Sequence, residues 1–295
     1  MAALSASAAT HGIVTPSLCT RPATRVLGTT LLPQTGLLHS NIACSASRPG
    51  PSGAFEKGLE GETRQRLFNE IAPVYDQLNN ALSLGQHQVW KRMAVKWAGA
   101  RPGLAALDVC CGSGDLAFLL AEAVGPSGSV IGLDFAQSML DDAAERQRAQ
   151  PPIRKRSTPM RWVQGDAMEM PFGSSAFDCI TMGYGLRNVA SIPAALSELE
   201  RVLKPGGKVA ILDFNNAGDG SVADVAQGWV LENVVVPVAS SYGLKEEYAY
   251  LRPSIKNFPK GREQEALART AGFAAATHYE ISFGLMGVLV AEKGR

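Results

Sequence analysis

From Leu104 to Phe214 short apolar runs alternate with helix-like stretches, and this alternation constrains the fold more than any other feature. Runs at 104–109, 129–134, 160–164, 177–182 and 207–214 have the length and aliphatic character of strands. Amphipathic stretches at 114–124, 136–149 and 191–203 separate several of them. Such alternation places strands side by side and parallel, with helices on both faces. Right-handed crossovers then make the α/β sheet doubly wound, and ligands of such sheets sit at the carboxyl ends of the strands. The alternation stops after Phe214. The chain closes with strands at 275–282 and 286–292, joined across Phe283-Gly284. A connection that short requires antiparallel pairing. The expected fold is therefore a mostly parallel sheet of seven strands ending in an antiparallel hairpin.

The first strand runs into Leu107-Asp-Val-Cys-Cys-Gly-Ser-Gly-Asp115. An apolar strand ends near an acid, breaks at two glycines and starts a helix. Gly112 and Gly114 remove Cβ where the chain turns and where a ligand would lie against it. Alone, this loop is ambiguous. Gly112-x-Gly114-x-x-Ala117 fits a relaxed dinucleotide fingerprint and equally an S-adenosylmethionine loop. Asp134, ending the next strand, suits a ribose in either case. The terminal hairpin argues against a nicotinamide-dependent oxidoreductase.

The first fifty residues differ from the rest. They carry Arg21, Arg25 and Arg48 but no Asp, Glu or Lys, and the first acid is Glu56. An acid-poor, Ser/Thr/Ala-rich, arginine-bearing start reads as an organelle transit peptide, with 51–62 as a linker. The formal net charge of +1 offers no basic surface for nucleic acid. No apolar run is long enough to span a bilayer. Five scattered cysteines include no Cys-x-x-Cys and no zinc spacing. They read as reduced thiols, with no metal site.

Helical patterns precede the sheet at 63–78, with Leu67, Ile71 and Val74 on one face, and at 87–98, with Trp90, Met93, Ala94 and Trp97. After the parallel strands, Ser221 and Asp224 resemble a capping box. Val222, Val225, Ala226, Trp229, Val230 and Asn233 then share one helical face, extended by Val234–Val238. Further helices are expected over 244–251 and 262–271.

Several motifs agree on one family. They are Tyr75–Gly85 (YDQLNNALSLG), His87-Gln-Val-Trp-Lys91, Gly165-Asp-Ala167, Gly185-Leu-Arg-Asn-Val189 and Arg201–Gly207 (RVLKPGG). Together they resemble the ubiquinone/menaquinone-biosynthesis C-methyltransferases over about residues 63–292. Gln227-Gly-Trp229, Asn233–Val238 and His278–Ser282 resemble the plastid branch acting on phytylated naphthoquinols. Gln88 departs from the family, where many members carry Arg. The resemblance implies a class I S-adenosylmethionine-dependent methyltransferase at 63–295, with a lid at 63–98 and a helical insertion at about 219–258. It implies S-adenosylmethionine as cofactor, a prenylated naphthoquinol as substrate, peripheral membrane association and a plastid location. A mitochondrial enzyme acting on a prenylated benzoquinol stays open at this point.

The resemblance also assigns residues. Ser113 corresponds to a cofactor-contacting hydroxyl, or serves only a turn hydrogen bond. Asp134 would accept from the ribose hydroxyls, or cap the following helix. Asp166 would accept from the adenine amine and Ala167 would offer its amide, against an Asx-turn. Asp108 would order the loop and help hold the amino-acid end of the cofactor; Gly183 would contribute backbone. On the acceptor side, Arg187 would stabilise an aryl oxide, or form a structural ion pair. Tyr184 would orient the acceptor hydroxyl, with Asn188 beside it. His87 is an acid/base candidate, against simple packing. Helices over 221–238, with the lid, would wall a channel for the prenyl tail, or else complete the core.

Overall fold

The computed structural model describes residues 85–150, 158–218, 220–241 and 251–295. The expected leader, the linker, the helix over 63–78 with Tyr75 and Asp76, and nearly all of the helix over 244–251 lie outside the described residues. Within them, β1 (Ala105–Val109), β2 (Ser129–Asp134), β3 (Met160–Gln164), β4 (Phe177–Gly183), β5 (Leu203–Phe214), β6 (Phe273–Ile281) and β7 (Met286–Lys293) build one sheet. Its order is β3-β2-β1-β4-β5-β7-β6. β1 through β5 pair in parallel, and β7 runs against both β5 and β6. The reversal of strand order between β1 and β4 opens a crevice at their carboxyl ends.

Alternation along the strands sorts side chains onto the two faces. Leu107, Val109, Ile180, Met182, Val209 and Ile211 belong to one core cluster. Ala106, Cys179, Ala210 and Leu212 belong to the other. Helices Ile192–Val202 and Gly261–Thr270 cover the first face; α1 (Gln86–Trp97) and α2 (Asp115–Val124) cover the second. α1 buries His87, Lys91, Ala94 and Val95, while Trp90 and Trp97 pack at its flank. β5 starts at Leu203, earlier than the expected 207. A register irregularity between Phe177 and Cys179 absorbs the Pro205-Gly206-Gly207 segment.

The helix after β5 differs most from expectation. Its start is capped as the sequence implies: Ser221 accepts from the Asp224 amide, and the Asp224 carboxylate accepts from the Gly220 amide. Much of its apolar face, however, does not complete the core. Val222 is 88% exposed and Val225 and Trp229 are each 62% exposed. The helix packs through Gln227 and Gly228 instead. Gln227 Nε2 donates to the carbonyls of Asn215 and Leu285 at 3.3 and 3.0 Å. The Arg252 guanidinium lies over Gly228, 2.0 Å from where a Cβ would sit, so a side chain there would displace the arginine head. Leu231–Val235 then form a π-helical turn. Pro237 explains it, since a residue without N–H cannot bond the carbonyl of Asn233.

Candidate active site

The crevice at the carboxyl ends of β1, β2 and β4 is a cleft of about 1080 Å³, including the part open to solvent. Asp108, Gly112, Ser113, Asp134, Asp166, Ala167, Gly183, Tyr184 and Asn188 all line it. Three expected site residues are not among its lining: Gly114, Arg187 and His87.

Gly114 serves the turn as expected, while its missing Cβ is filled from within the protein. It takes φ 91° as the N-cap of α2, and a Cβ there would meet Trp162 at 2.7 Å and Phe118 at 3.1 Å. Its missing side chain admits Trp162, not a ligand. Gly112 is the open one. It has φ 53°, with nothing closer than Met139 Sδ at 4.0 Å. The next residues stay close to the cleft because both strand ends bend sharply. Cys110 after β1 (φ 53°) and Tyr184 after β4 (φ 57°) adopt the left-handed region without being glycine. Such strain persists only where the surroundings enforce it. Gly185 must lack Cβ here, since one would lie 2.6 Å from Cys110 Cβ. Cys110 and Cys111 are free thiols pushed well above their usual pKa by burial, with neighbouring carboxylates adding to the shift.

Asp134 ties the glycine loop to the next helix. Oδ2 accepts from the Gly112 amide at 2.8 Å and Oδ1 from the Ala136 amide at 2.9 Å. Burial raises its pKa, against those hydrogen bonds. A carboxylate has about four acceptor sites, and with the Phe135 amide also acting on it, capacity for one further donor remains. Asp166 makes the Asx-turn considered as its alternative role, Oδ1 accepting from the Met168 amide at 2.8 Å. It still lines the cleft, next to buried Ala167. Ser113 accepts from Arg146 Nη1 at 2.8 Å through both its hydroxyl and its carbonyl.

Asp108 is the most unusual group. It is fully buried; Oδ1 accepts from Thr181 at 2.8 Å, and among the described residues Oδ2 has no partner at hydrogen-bond geometry. Burial pushes its pKa up to about 7, only partly offset by the Thr181 bond. The folded value lies above the ordinary 3.8, so the folded state holds this proton longer than the unfolded chain. Its stabilising contribution is complete below about pH 4 and is lost as pH rises towards 7. Relative to Asp108→Asn, the ligand-free protein should lose on the order of a few kcal/mol across that window. Denaturant midpoints of the two proteins at pH 5 and pH 8 measure this; parallel curves would contradict it.

Arg187 forms the structural ion pair rather than facing an acceptor. Its Nη1 pairs with Asp213 Oδ1, its amide donates to Asp213 Oδ2 at 3.2 Å, and its Nε donates to Ser254 at 3.0 Å. Its side chain is 6% exposed and that of Asp213 is 4% exposed. Burial raises the Asp213 pKa, with the Arg187 charge opposing. His87 is buried one turn before Lys91 on α1. Tyr184 faces the cleft with its ring 5.9 Å from that of Phe214, and Asn188 Nδ2 donates to the Tyr184 carbonyl at 2.9 Å.

Lys91, Asp115, Arg146 and Asp213 went unassigned from sequence. Lys91 lines the cleft and donates to Asp115 Oδ2 at 2.6 Å, while Arg146 donates to Asp115 Oδ1 at 2.6 Å. Burial pushes Asp115 up, yet Lys91 and Arg146 outweigh it and hold the carboxyl below its usual value. Asp213 is the last residue but one of β5, as Asp108 is of β1. An ionisable residue inside an apolar helix face, as Lys91 is, was the available signal.

These features fit S-adenosylmethionine: an acid at the end of β2 with spare acceptor capacity, an open glycine, and an orphaned buried carboxylate oxygen. Residues 57–293 match the ubiE/COQ5 methyltransferase family. The chain is 56% identical over 232 residues to a 2-phytyl-1,4-naphthoquinone methyltransferase of Synechocystis, covering 79% of this chain and 95% of that one. It is 55% identical to the chloroplastic 2-phytyl-1,4-β-naphthoquinone methyltransferase of Arabidopsis thaliana, covering 77% and 86% respectively. Its fold is shared with a SAM-dependent methyltransferase of Aquifex aeolicus at a TM-score of 0.53 and 17% identity, covering 74% of this chain and 97% of that one. The chain belongs to the ubiE/COQ5 methyltransferase family.

Proposed function

We propose that this chain transfers a methyl group to the ring carbon of a reduced 2-phytyl-1,4-naphthoquinone, the last methylation in phylloquinone biosynthesis. Identity of 55–56% to enzymes named for that acceptor, over nearly the full length of the Synechocystis relative, carries the reading. When bound, S-adenosylmethionine supplies an electrophilic methyl group on a sulfonium. Asp134, Asp166, Ala167, Gly112, Ser113, Gly183 and Asp108 would hold it. The chain's own contribution is orientation and exclusion of water. Leu116, Leu133, Met139 and Val189 make the walls of the cleft apolar. Alignment in such a site supplies up to about 7–11 kcal/mol of barrier reduction.

The acceptor is the quinol, because the oxidised ring is itself electrophilic and offers no nucleophilic carbon. Tyr184 and Asn188 stand on the acceptor side of the cleft and orient the ring. Arg187, held by Asp213 and Ser254, acts by positioning the 183–190 loop rather than by touching the aryl oxide. His87 anchors α1 and takes no proton in this reading.

The test is methyl transfer from labelled S-adenosylmethionine to phytylated demethylnaphthoquinone, with and without reductant, beside a prenylated benzoquinol. Labelled product only under reduction is expected. Transfer to the benzoquinol alone would move the chain to the ubiquinone pathway.

The lipid acceptor requires access to a membrane, and we assign peripheral association to the exposed face of Val222, Val225 and Trp229. Phe283 is fully exposed, on a turn whose Gly284 lies against Ala223, and extends that face. Among the described residues no helix is long and apolar enough to cross a membrane. Trp229→Glu should lower sedimentation with galactolipid vesicles several-fold, at about 1 kcal/mol or more per buried aromatic. Unchanged sedimentation would remove this face from the reading. The plastid location of the Arabidopsis relative and the acid-poor first fifty residues support a plastid address.

A further inference from the structure

The loop that carries the open glycine is built from uncommon backbone. Cys110, Gly112 and Gly114 take φ of 53°, 53° and 91°, all in the left-handed region. Such a loop keeps one shape only where its surroundings enforce it. From the sheet side, the Asp134 carboxylate accepts from the Gly112 amide, and the Leu133 carbonyl from the Cys111 amide. These two contacts stop short of Ser113 and Asp115, where the loop passes into α2.

Arg146 reaches both from outside. It stands on the helix Gln137–Ala149, beyond the second strand. Its Nη1 donates to the carbonyl and to the hydroxyl of Ser113, each at 2.8 Å. Its Nη2 donates to Asp115 Oδ1 at 2.6 Å. The guanidinium lies 5.3 Å from the centre of the Phe118 ring, one turn into α2. A rigid fork of donors over an aromatic ring fixes the geometry of its acceptors, which a flexible ammonium does not. The grip carries into the cleft, because Ser113 and Asp115 line it whereas Arg146 does not. Asp115 gives its other oxygen to Lys91 of the cleft wall at 2.6 Å.

We infer that Arg146 is a positioning residue for methyl-donor binding: it touches no ligand and holds the loop and the start of α2 in the shape the donor requires. This rests on the donor named above and adds to it a residue outside the cleft. The alternative is an ordinary surface tether between two helices, which would support the fold without favouring either substrate.

Steady-state kinetics of the full chain, varying donor and quinol separately, distinguish the two. Arg146→Ala should raise the KM for S-adenosylmethionine about 10-fold, the effect of one charged hydrogen bond. It should change kcat less than about 3-fold and the KM for the quinol less than about 2-fold. Calorimetric affinity for S-adenosylhomocysteine should weaken in parallel. The Arg146 side chain is 40% exposed, so its place is open to water once the side chain is removed. Millimolar guanidinium chloride should therefore recover part of the donor KM in Arg146→Ala, and potassium chloride at the same ionic strength should not. Arg146→Lys cannot bridge Ser113 and Asp115 and should raise the donor KM part of the way; it decides the matter if Arg146→Ala does not fold. A donor KM within about 2-fold of wild type in the folded variants overturns the inference. So does an equal rise in both KM values with a fall in kcat that guanidinium does not relieve, the mark of a general tether. Wild type failing to bind S-adenosylhomocysteine would overturn the donor itself, a different failure.

Discussion

Asp134→Asn should lose on the order of 100-fold in affinity for S-adenosylhomocysteine. Both carboxylate oxygens already accept from backbone amides, those of Gly112 and Ala136. Asparagine has one oxygen, so its NH₂ must face one of those two N–H donors. The clash releases either the glycine loop or the start of the next helix. The remaining acceptor capacity for the ribose falls at the same time. Charge-assisted hydrogen bonds are worth about 1.5–3 kcal/mol each, and losing one while misplacing another gives the expected size. Isothermal titration measures it, with thermal unfolding alongside. Affinity within about 3-fold of wild type would show that Asp134 caps and does not bind.

Asp213→Ala should be the most destabilising single change near the site, by about 3–5 kcal/mol. Removing the acid leaves the Arg187 guanidinium buried, with Ser254 as its remaining side-chain hydrogen-bond acceptor among the described residues. It also removes the acceptor of the Arg187 and Phe214 amides. The loop between β4 and the following helix carries Tyr184 and Asn188, so turnover should fall with stability. Urea unfolding of Asp213→Ala, Arg187→Met and the Asp213→Leu/Arg187→Met double variant separates the causes. The double variant should recover much of the loss, because a buried pair replaced by apolar groups costs far less than one broken in half. Equal losses in all three would indicate that packing of the loop, rather than the stranded charge, sets the cost.

The two residues illustrate how differently the site was legible. Asp134 ends an apolar run directly after Gly132-Leu133, and a strand end followed by a helix start leaves few places for such a side chain. Its position at the cleft followed from local pattern alone. Arg187 and Asp213 lie 26 residues apart on different elements. No local periodicity relates them, and only the parallel pairing of β4 with β5 brings them together. The same holds for Lys91, whose partner Asp115 opens a helix across the first strand.

What the sequence determined by itself was the sheet. Hydrophobic runs of strand length, alternating with amphipathic helices and closed by a short connection, leave one family of topologies. The observed strands match the expected ones within a few residues, because period-two burial and chain reversal are local properties. What only the tertiary structure decided was which surface each helix buries and which charge each charge meets. Val222, Val225 and Trp229 form an apolar stripe that, by periodicity, belongs inside. Gln227 and Gly228 are packed in their place, because two backbone carbonyls and the Arg252 guanidinium lie there. Gly114 likewise is required by the indole of Trp162, contributed by a strand two positions away in the sheet. A hydrophobic pattern states how much apolar surface a segment carries; what covers that surface is set by segments distant in sequence, through contacts formed only when the sheet has closed.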